Sequence, residues 1–230
     1  MKFENYNTFN WENALRGMRN PKNSWDKSDS ANTTDIVWNE ENKFKYNCPH
    51  WYDYCIGPND MQLAKNLVKA GNEHRKFLRQ IFVTIDITAP LYWWKEMDTY
   101  KVGTTTNSTS TMHKLTDNPI TLECFEVDDY NPCLYINKDA ELVVADFVDP
   151  LVSMLEYFRK IYVETKDQKY WKELIRWLPE SYLQTRTWTG NYEVLRNIYH
   201  QRKNHKLTEW HTFCDFIRSE FPYAKEFIVN

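Results

Sequence analysis

The sequence predicts a fold that mixes helices with strands, and three observations support this. The run Ile81 to Ile87 is dense in β-branched residues, which is typical of a strand. Apolar residues between Ala140 and Thr165 recur at helical spacing. The chain has only 5 glycines in 230 residues and no Gly-rich phosphate motif. A dinucleotide-binding Rossmann domain and a P-loop NTPase are therefore disfavoured.

Composition narrows the class of protein further. Hydrophobic residues make up 42% of the chain and aromatic residues 16%, which is not a disordered composition. We expect one domain over residues 1–230, with 1–58 as an irregular, aromatic-rich N-terminal layer and 59–230 as the core. A net charge of −3 gives no signal for nucleic acid. No apolar run approaches ~18 residues, so we expect no membrane span. The polar N-terminus lacks a signal peptide, and the five cysteines are an odd number. A reduced cytoplasmic protein is the simplest interpretation.

Up to residue 97, capping and breaking residues mark the predicted elements. A short strand is predicted at 35–38. Asn59-Asp60 predicts a helix start because both residues are good N-caps, and Gly71-Asn72 ends that helix. A second short helix is predicted at 74–79, before the strand at 81–87. Ala89-Pro90 then predicts a helix carrying residues 91–97, because proline is favoured in a first turn.

The rest of the chain alternates polar segments with helices. Residues 104–111 are eight small polar residues, predicted as a loop, and 115–139 is predicted as loop with short strands. A long helix at 140–165 is predicted to be kinked or divided by Pro150. Helices follow at 170–177, from Thr189-Gly190-Asn191 onward, and at about 208–220.

The residues alone leave several sites open and identify no catalytic residue. Cys48, His50 and Cys55 offer three of the four ligands that a structural zinc needs, so ordinary packed side chains are favoured and no metal is expected. His200, His205 and His211 do not form an H-E-x-x-H pattern. Asp86, Glu96 and Asp98 are general-base candidates or solvated carboxylates. The hydroxyls of 104–111, with Asn107 and the nearby Lys101, are phosphate ligands or part of a flexible loop.

Two blocks of the sequence resemble the flavin-dependent thymidylate synthases. In the first, Thr105, Asn107 and Ser110 fall at the Ser, Asn and Ser of that family's Ser-x-Asn-x-x-Ser-x-Arg motif. In the second, the order Leu-Pro, Trp-Thr-x-Asn, Leu, Asn and Arg matches Leu178-Pro179, Trp188-Thr189-Gly190-Asn191, Leu195, Asn197 and Arg202. The resemblance spans Phe77 to Arg202.

The resemblance implies an α+β fold with a mixed, antiparallel-rich sheet surrounded by long helices. It implies a homotetramer that holds FAD and takes dUMP as methyl acceptor, with NADPH and methylenetetrahydrofolate as co-substrates in dTMP biosynthesis. Carried over by position, the nucleotide is bound by Lys101, Thr105, Ser110, Arg176 and Arg202. Ser110 would address the phosphate and Arg202 the base. The cofactor contacts would be Asn107, Asn191 and Asn197.

This chain also departs from the family pattern. Where the family has Arg-His-Arg, this chain has Thr99-Tyr100-Lys101 or Tyr100-Lys101-Val102, depending on the register, and Met112 stands where the family has an arginine. Glu193 replaces an arginine two residues after Asn191. Because cations are lost, three interpretations stay open. The first is an enzyme of this type with altered chemistry such as hydroxymethyl transfer. The second is an inactive homologue that binds nucleotides or proteins, and the third is an unrelated helical protein.

Overall fold

The computed structural model describes residues 1–37, 39–46 and 52–230, without the side chains of 43, 44 and 46. The α-helices in this part are Trp11–Arg19 (α1), Glu40–Tyr46 (α2), Pro58–Ala70 (α3), Leu91–Met97 (α4), Thr111–Lys114 (α5), Ala145–Thr165 (α6), Gln168–Trp177 (α7), Tyr192–Arg202 (α8) and Thr208–Glu220 (α9). The strands are Lys2–Phe9 (β1), Ala31–Asn32 (β2), Tyr54–Cys55 (β3), Phe82–Pro90 (β4), Thr105–Ser108 (β5), Tyr135–Asn137 (β6), Leu142–Val143 (β7) and Leu183–Asn191 (β8). Short 3₁₀ turns and a π-helical segment at Lys225–Val229 complete the list.

The strands form one larger sheet and two short ribbons. The larger sheet has four strands in the order β1-β4-β8-β5. The ribbons are antiparallel pairs, β2 with β3 and β6 with β7. This combination of helices with antiparallel sheets confirms the predicted fold class.

The described chain separates into two compact units. The first unit contains Met1–Phe3, Asp86–Thr99 and Thr106–Thr187, and the second contains Glu4–Ile85, Tyr100–Thr105 and Trp188–Asn230. In the first unit, a buried apolar cluster joins the segment after β5 to α6 and α7 through Leu115, Ile120, Phe125, Leu155 and Leu174. Trp93 and Trp94 on α4 are also fully buried, with ring centroids 5.0 Å apart at 77°.

The second unit has an aromatic core. Trp11 on α1 meets Tyr192 edge to face at 5.0 Å, and Phe77 meets Phe227 in the same way at 5.7 Å. Residues 2–19 are therefore a regular strand and helix, whereas we predict an irregular layer there. The physical reason is that α1 buries one face, including Trp11 and Leu15, against this core.

Helices 91–97 and 208–220 are found where the sequence predicts them, and several other elements differ. The short helix predicted at 74–79 is a 3₁₀ helix at Lys76–Gln80. The polar run 104–111 contains β5 and the start of α5 rather than being only a loop. Strand β8 is not predicted, and Thr189–Asn191 is its end, so that α8 begins at Tyr192. Helix α6 begins at Ala145 and contains Pro150 inside it. The proline lies close enough to the N-terminus that it removes only one early hydrogen bond.

Some residues singled out in the N-terminal part of the sequence lie outside the described residues, namely Trp38, Cys48 and His50. The predicted strand at 35–38 is replaced by a 3₁₀ turn at Thr33–Asp35, and Trp38 is not described. Cys55 is disulfide-bonded, which differs from the expected fully reduced set, while Cys124, Cys133 and Cys214 are free thiols. None of the described helices is both long and apolar enough to cross a bilayer.

Candidate functional site

Arg202, in the last turn of α8, has its guanidinium oriented by aromatic neighbours within the second unit. Its Nε donates a hydrogen bond to the Tyr100 hydroxyl at 2.8 Å, and that hydroxyl donates to Gln201 Oε1 at 3.0 Å. The guanidinium carbon lies 4.7 Å from the ring centroid of Trp210 and 5.5 Å from that of Tyr100. Because a planar cation stacks favourably on aromatic faces, these contacts fix the plane of the guanidinium.

The loop that carries Tyr100 packs on the N-terminus of α8. The Thr104 hydroxyl donates to the Tyr100 carbonyl and closes the loop. Gly103 has a φ of 76°, in the left-handed region that favours glycine. A Cβ there would lie 3.2 Å from Asn191 Nδ2, which is a tight contact. Lys101 is exposed and forms no ion pair among the residues that the structure describes, so its charge is available to a ligand.

The two predicted flavin-contacting asparagines of α8 differ in their surroundings. Asn191 is buried, and its Oδ1 accepts a hydrogen bond from the Val194 backbone N–H at 3.1 Å. It is therefore the N-cap of α8, and its carbonyl oxygen is engaged by the helix. Asn197 is exposed on the same helix, so its amide is accessible.

Glu193, which stands where the resemblance leads us to expect an arginine, is paired with an arginine from far away in the sequence. Arg75 Nε and Nη2 donate to its carboxylate at 2.9 and 3.0 Å, in a two-pronged arrangement. Glu193 is only 5% exposed. A buried carboxylate needs such a partner, because desolvating an unpaired charge is costly. The residues are 118 positions apart, and no sequence pattern connects them.

The predicted phosphate ligands lie on β5 and the turn after it, and the structure places them differently. Thr105, in the second unit, is exposed. In the first unit, Asn107 is exposed, and Ser110 is half-buried and caps α5 by accepting from the His113 N–H at 3.2 Å. A hydroxyl that accepts one hydrogen bond can still donate its own proton, so Ser110 retains a donor for an anionic oxygen.

Arg176, the remaining predicted nucleotide ligand, is exposed on α7 and forms an ion pair with Glu173 one turn earlier. Glu173 also accepts from Trp177 Nε1 at 2.9 Å. The arginine is therefore held along the surface of its own helix. Exposed pairs of this kind contribute little free energy, so the pair can open for a ligand.

A second arginine cluster, which the sequence analysis does not predict, lies in the first unit. Arg186 on β8 donates through Nη1 to both oxygens of Asp98, at 2.9 and 3.0 Å, and stacks 4.4 Å above the Trp94 ring. Its Nε donates to Gln184 Oε1 at 2.9 Å, and Trp94 Nε1 donates to the Gln184 backbone carbonyl. Alternating polar residues along a strand are the signal that could have revealed it. Asp98 is thus an ion-pair partner, which weakens its candidacy as a general base.

The other open sites are also engaged in local contacts. Asp86 accepts a hydrogen bond from the Thr187 hydroxyl at 2.5 Å. His205 Nδ1 accepts from the Leu207 N–H, and the His205 carbonyl lies 2.7 Å from His211 Nε2. In the part of the chain that is described, no three His, Cys, Asp or Glu side chains are grouped as metal ligands. Cys48 and His50 fall outside that part.

Known structures share this architecture over almost the full chain. The flavin-dependent thymidylate synthase ThyX from Helicobacter pylori, complexed with FAD and dUMP, matches with a TM-score of 0.63 and 16% identity, covering 99% of this chain and 98% of that one. A second structure of the same enzyme with FAD and dUMP has the same score and identity and covers 97% of its own chain. The UMP/dUMP methylase PolB from Streptomyces cacaoi, bound with 5-Br dUMP, matches with a TM-score of 0.61 and 13% identity, covering 97% and 90%.

Comparisons with family models and with curated proteins give no match. The likeness therefore concerns the arrangement of helices and strands, and it extends from one end of the chain to the other. The protein has the fold of the flavin-dependent thymidylate synthases.

Proposed function

We propose that this protein is a divergent homologue of the flavin-dependent thymidylate synthases, that it binds a pyrimidine deoxynucleotide such as dUMP, and that it transfers a one-carbon unit to the base. The observation that carries the proposal is the orientation of Arg202 by Tyr100 and Trp210. A guanidinium with a fixed orientation suits a pyrimidine carbonyl, because its N–H donors lie in one plane and can donate to a carbonyl oxygen that lies in that plane. The solved structures of the same fold hold dUMP or a brominated dUMP.

For the nucleotide phosphate, we propose Thr105 and the exposed charge of Lys101 in the second unit, and we keep the Ser110 hydroxyl of the first unit as a separate candidate. Ser110 keeps its donor while it caps α5, and Lys101 has no competing ion pair in the described part of the protein. Arg176 joins this set only if it leaves Glu173. A lysine supplies charge without the two-pronged geometry of an arginine, so we expect weaker phosphate binding than three arginines would give.

We also propose FAD as the cofactor, with Asn197 in the second unit and Asn107 in the first as separate candidate contacts. Both amides are exposed, which fits a ligand contact, whereas the carbonyl of Asn191 is engaged as a helix cap. Bound flavin would carry reducing equivalents from NADPH, with methylenetetrahydrofolate as one-carbon donor. A homotetramer, a single domain and a cytoplasmic location remain predictions from the sequence.

An absorbance scan and a nucleotide titration test the proposal. We expect flavin bands in the purified protein or after FAD is added, and saturable dUMP binding by calorimetry. Arg202→Ala should weaken dUMP binding roughly 10- to 100-fold, the range for a lost charged hydrogen bond. Arg218→Ala is the matched control, because Arg218 is exposed on α9 and pairs only locally with Asp215. An unchanged dUMP affinity in Arg202→Ala would refute the assignment of the nucleotide site to Arg202.

A catalytically inactive, nucleotide-binding homologue is the second candidate. Tyr100-Lys101-Val102 in place of Arg-His-Arg favours it, as does the neutral Arg75–Glu193 pair where the family has a cation. It predicts dUMP binding without flavin bands and without turnover. A product assay with FAD, NADPH and methylenetetrahydrofolate separates the two candidates. Formation of dTMP or of a hydroxymethylated nucleotide would exclude the inactive one.

A further inference from the structure

The second unit contains a cavity with an aromatic wall. Its volume is about 200 Å³, and five aromatic side chains line it: Tyr6, Trp11, Tyr52, Tyr54 and Phe221. Three of the five are nearly inaccessible to solvent, with exposed fractions of 5% for Trp11, 7% for Tyr54 and 3% for Phe221. The Trp11 ring is held by its neighbour, since its Nε1 donates to the Thr8 hydroxyl at 3.0 Å. Tyr6 meets Phe221 edge to face at 6.1 Å, so three of the five rings have a contact that orients them.

Among the described residues that line the cavity, the charged groups are acidic: Glu220 and Asp53 contribute carboxylates, and no lysine, arginine or histidine of the described part is among them. Across the described part of the chain, neither carboxylate forms an ion pair. The Tyr6 hydroxyl donates to Glu220 Oε2 at 2.8 Å, which holds the carboxylate at the cavity.

The titration of the tyrosines reflects this negative charge. The hydrogen bond to Glu220, followed by burial and the charge of Glu220, raises the pKa of Tyr6. Burial raises the pKa of Tyr52, and the charges of Glu220 and Glu226 raise it further. A second anion beside these groups is disfavoured, whereas a cation is stabilised.

We propose that this cavity binds a small organic cation of the methylated ammonium class. The faces of electron-rich rings attract a cation, and the attraction is largest when the cation is desolvated. A methylated ammonium fits better than a bare one, because it loses less hydration and presents methyl groups to the rings. Space is sufficient, since a dry cavity of roughly 150 Å³ already accepts benzene. The site shares no residue with the proposed nucleotide site.

Choline and its uncharged carbon isostere, 3,3-dimethylbutan-1-ol, test this proposal directly. The two molecules have nearly the same shape and differ in the charge of one atom. Titration of the full-length protein by calorimetry should show choline binding at least roughly tenfold tighter than the isostere, as a desolvated cation on aromatic faces predicts. Equal affinities, or no choline binding, would overturn the proposal.

Matched variants locate the binding site. Glu220→Gln keeps the shape of an exposed side chain and removes its charge, and Tyr6→Leu removes one ring that is 40% exposed. Each should weaken choline binding roughly three- to tenfold. Glu123→Gln and Tyr157→Leu are the controls, because both residues are exposed and lie outside the cavity. Circular dichroism verifies the fold, and unchanged choline affinity in both folded cavity variants would refute this location.

Discussion

Asp60 is a fully buried carboxylate whose neighbours satisfy both of its oxygens. Arg19 Nε donates to Oδ1 at 2.5 Å, and the hydroxyls of Ser28 and Ser30 each donate to Oδ2 at 2.6 Å. Asp60 has no exposed surface and Arg19 only 6%. The cluster attaches α1 and the segment after it to α3, through charge rather than through apolar contact.

Removing one partner of this pair should be strongly destabilising. Asp60→Ala leaves the Arg19 guanidinium buried without a counter-charge, so we expect a loss of about 3–5 kcal/mol in the free energy of unfolding. Urea denaturation followed by circular dichroism measures it. Asp215→Ala serves as the control, since Asp215 is exposed and should change stability by less than about 0.5 kcal/mol. A loss below 1 kcal/mol in Asp60→Ala would contradict the account.

Asn191 lets a capping role be separated from a ligand-binding role. Asn191→Ala removes the acceptor for the Val194 N–H and should cost roughly 0.5–2 kcal/mol in unfolding free energy. Asn191→Asp keeps that oxygen and adds a favourable charge at a helix N-terminus, so stability should be retained. Thermal unfolding compares the two variants. Equal destabilisation by both would show that the cap is not what this side chain contributes.

Sequence reasoning proposes residues for the candidate site, and these stay a prediction; it does not give their local roles in the fold. Asn191 and Ser110 were predicted as ligands, and both cap helices in the structure. Small polar side chains that bind ligands are the same ones that cap helices, so a single sequence does not separate the two roles. Arg202 differs, because its partners Tyr100 and Trp210 come from separate segments that only folding brings together.

At the scale of elements, α6 is attached to the segment that precedes it by a partly buried carboxylate. Glu156 accepts two hydrogen bonds from Arg159, at 2.6 and 2.7 Å, and one from the Ile120 N–H at 2.8 Å. Arg159 also donates to the Thr116 carbonyl at 3.2 Å. These bonds, chiefly those from Arg159, lower the pKa of Glu156 to about 2.

This attachment predicts a specific acid dependence. Because the pKa of Glu156 is lower in the folded state than in the unfolded chain, its stabilisation is fully present above the ordinary carboxyl pKa. It is lost as the pH falls from that value towards 2. Glu156→Gln should therefore be less stable than the parent at neutral pH, with a difference that shrinks over this window. Urea midpoints between pH 7 and pH 2 measure it. A pH-independent difference, or the same trend in the exposed control Glu123→Gln, would contradict the assignment.

Strand β8 shows why some elements could not be predicted. Its residues from Gln184 to Thr189 alternate threonine with glutamine, arginine and tryptophan, and the expected apolar alternation is weak. The strand is stabilised instead by side-chain bonds between strands, including Thr88 to Thr185 at 2.7 Å within the first unit. By contrast, α4 follows the Ala89-Pro90 start signal, and both α4 and α9 lie where the sequence predicts them.

At the scale of the whole molecule, exposed apolar side chains concentrate in one part of the first unit. Leu134, Tyr135 and Ile136 around β6 are 58%, 53% and 57% exposed, and Phe147 on α6 is 64% exposed. Clustered apolar exposure of this kind marks interaction surfaces. If the predicted homotetramer forms through this surface, Ile136→Asp with Phe147→Asp should give a smaller species by size-exclusion chromatography with light scattering. The matched control, Val102→Asp, alters an 89% exposed side chain elsewhere and should leave the mass unchanged.

The fold was more predictable than the chemistry, for a physical reason. A fold tolerates any set of side chains that preserves buried volume and pattern, which is consistent with near-complete structural coverage at 16% identity. Chemistry depends on individual groups and their partners, and those are the positions at which this chain departs from the family motif. Tyr100-Lys101-Val102 and Glu193 are two such departures.

The Arg75–Glu193 pair restricts the routes by which this chain could evolve. Substitution of Glu193 by arginine alone would place two guanidinium groups together in a buried position, which is less stable than the present pair. Substitution of Arg75 alone would leave the buried Glu193 carboxylate without its partner. A cation can replace Glu193 without a destabilised intermediate only if both positions change together. A swapped pair, Arg75→Glu with Glu193→Arg, should be more stable than either single variant. Each substitution should therefore destabilise the parent protein but stabilise the variant that already carries the other substitution.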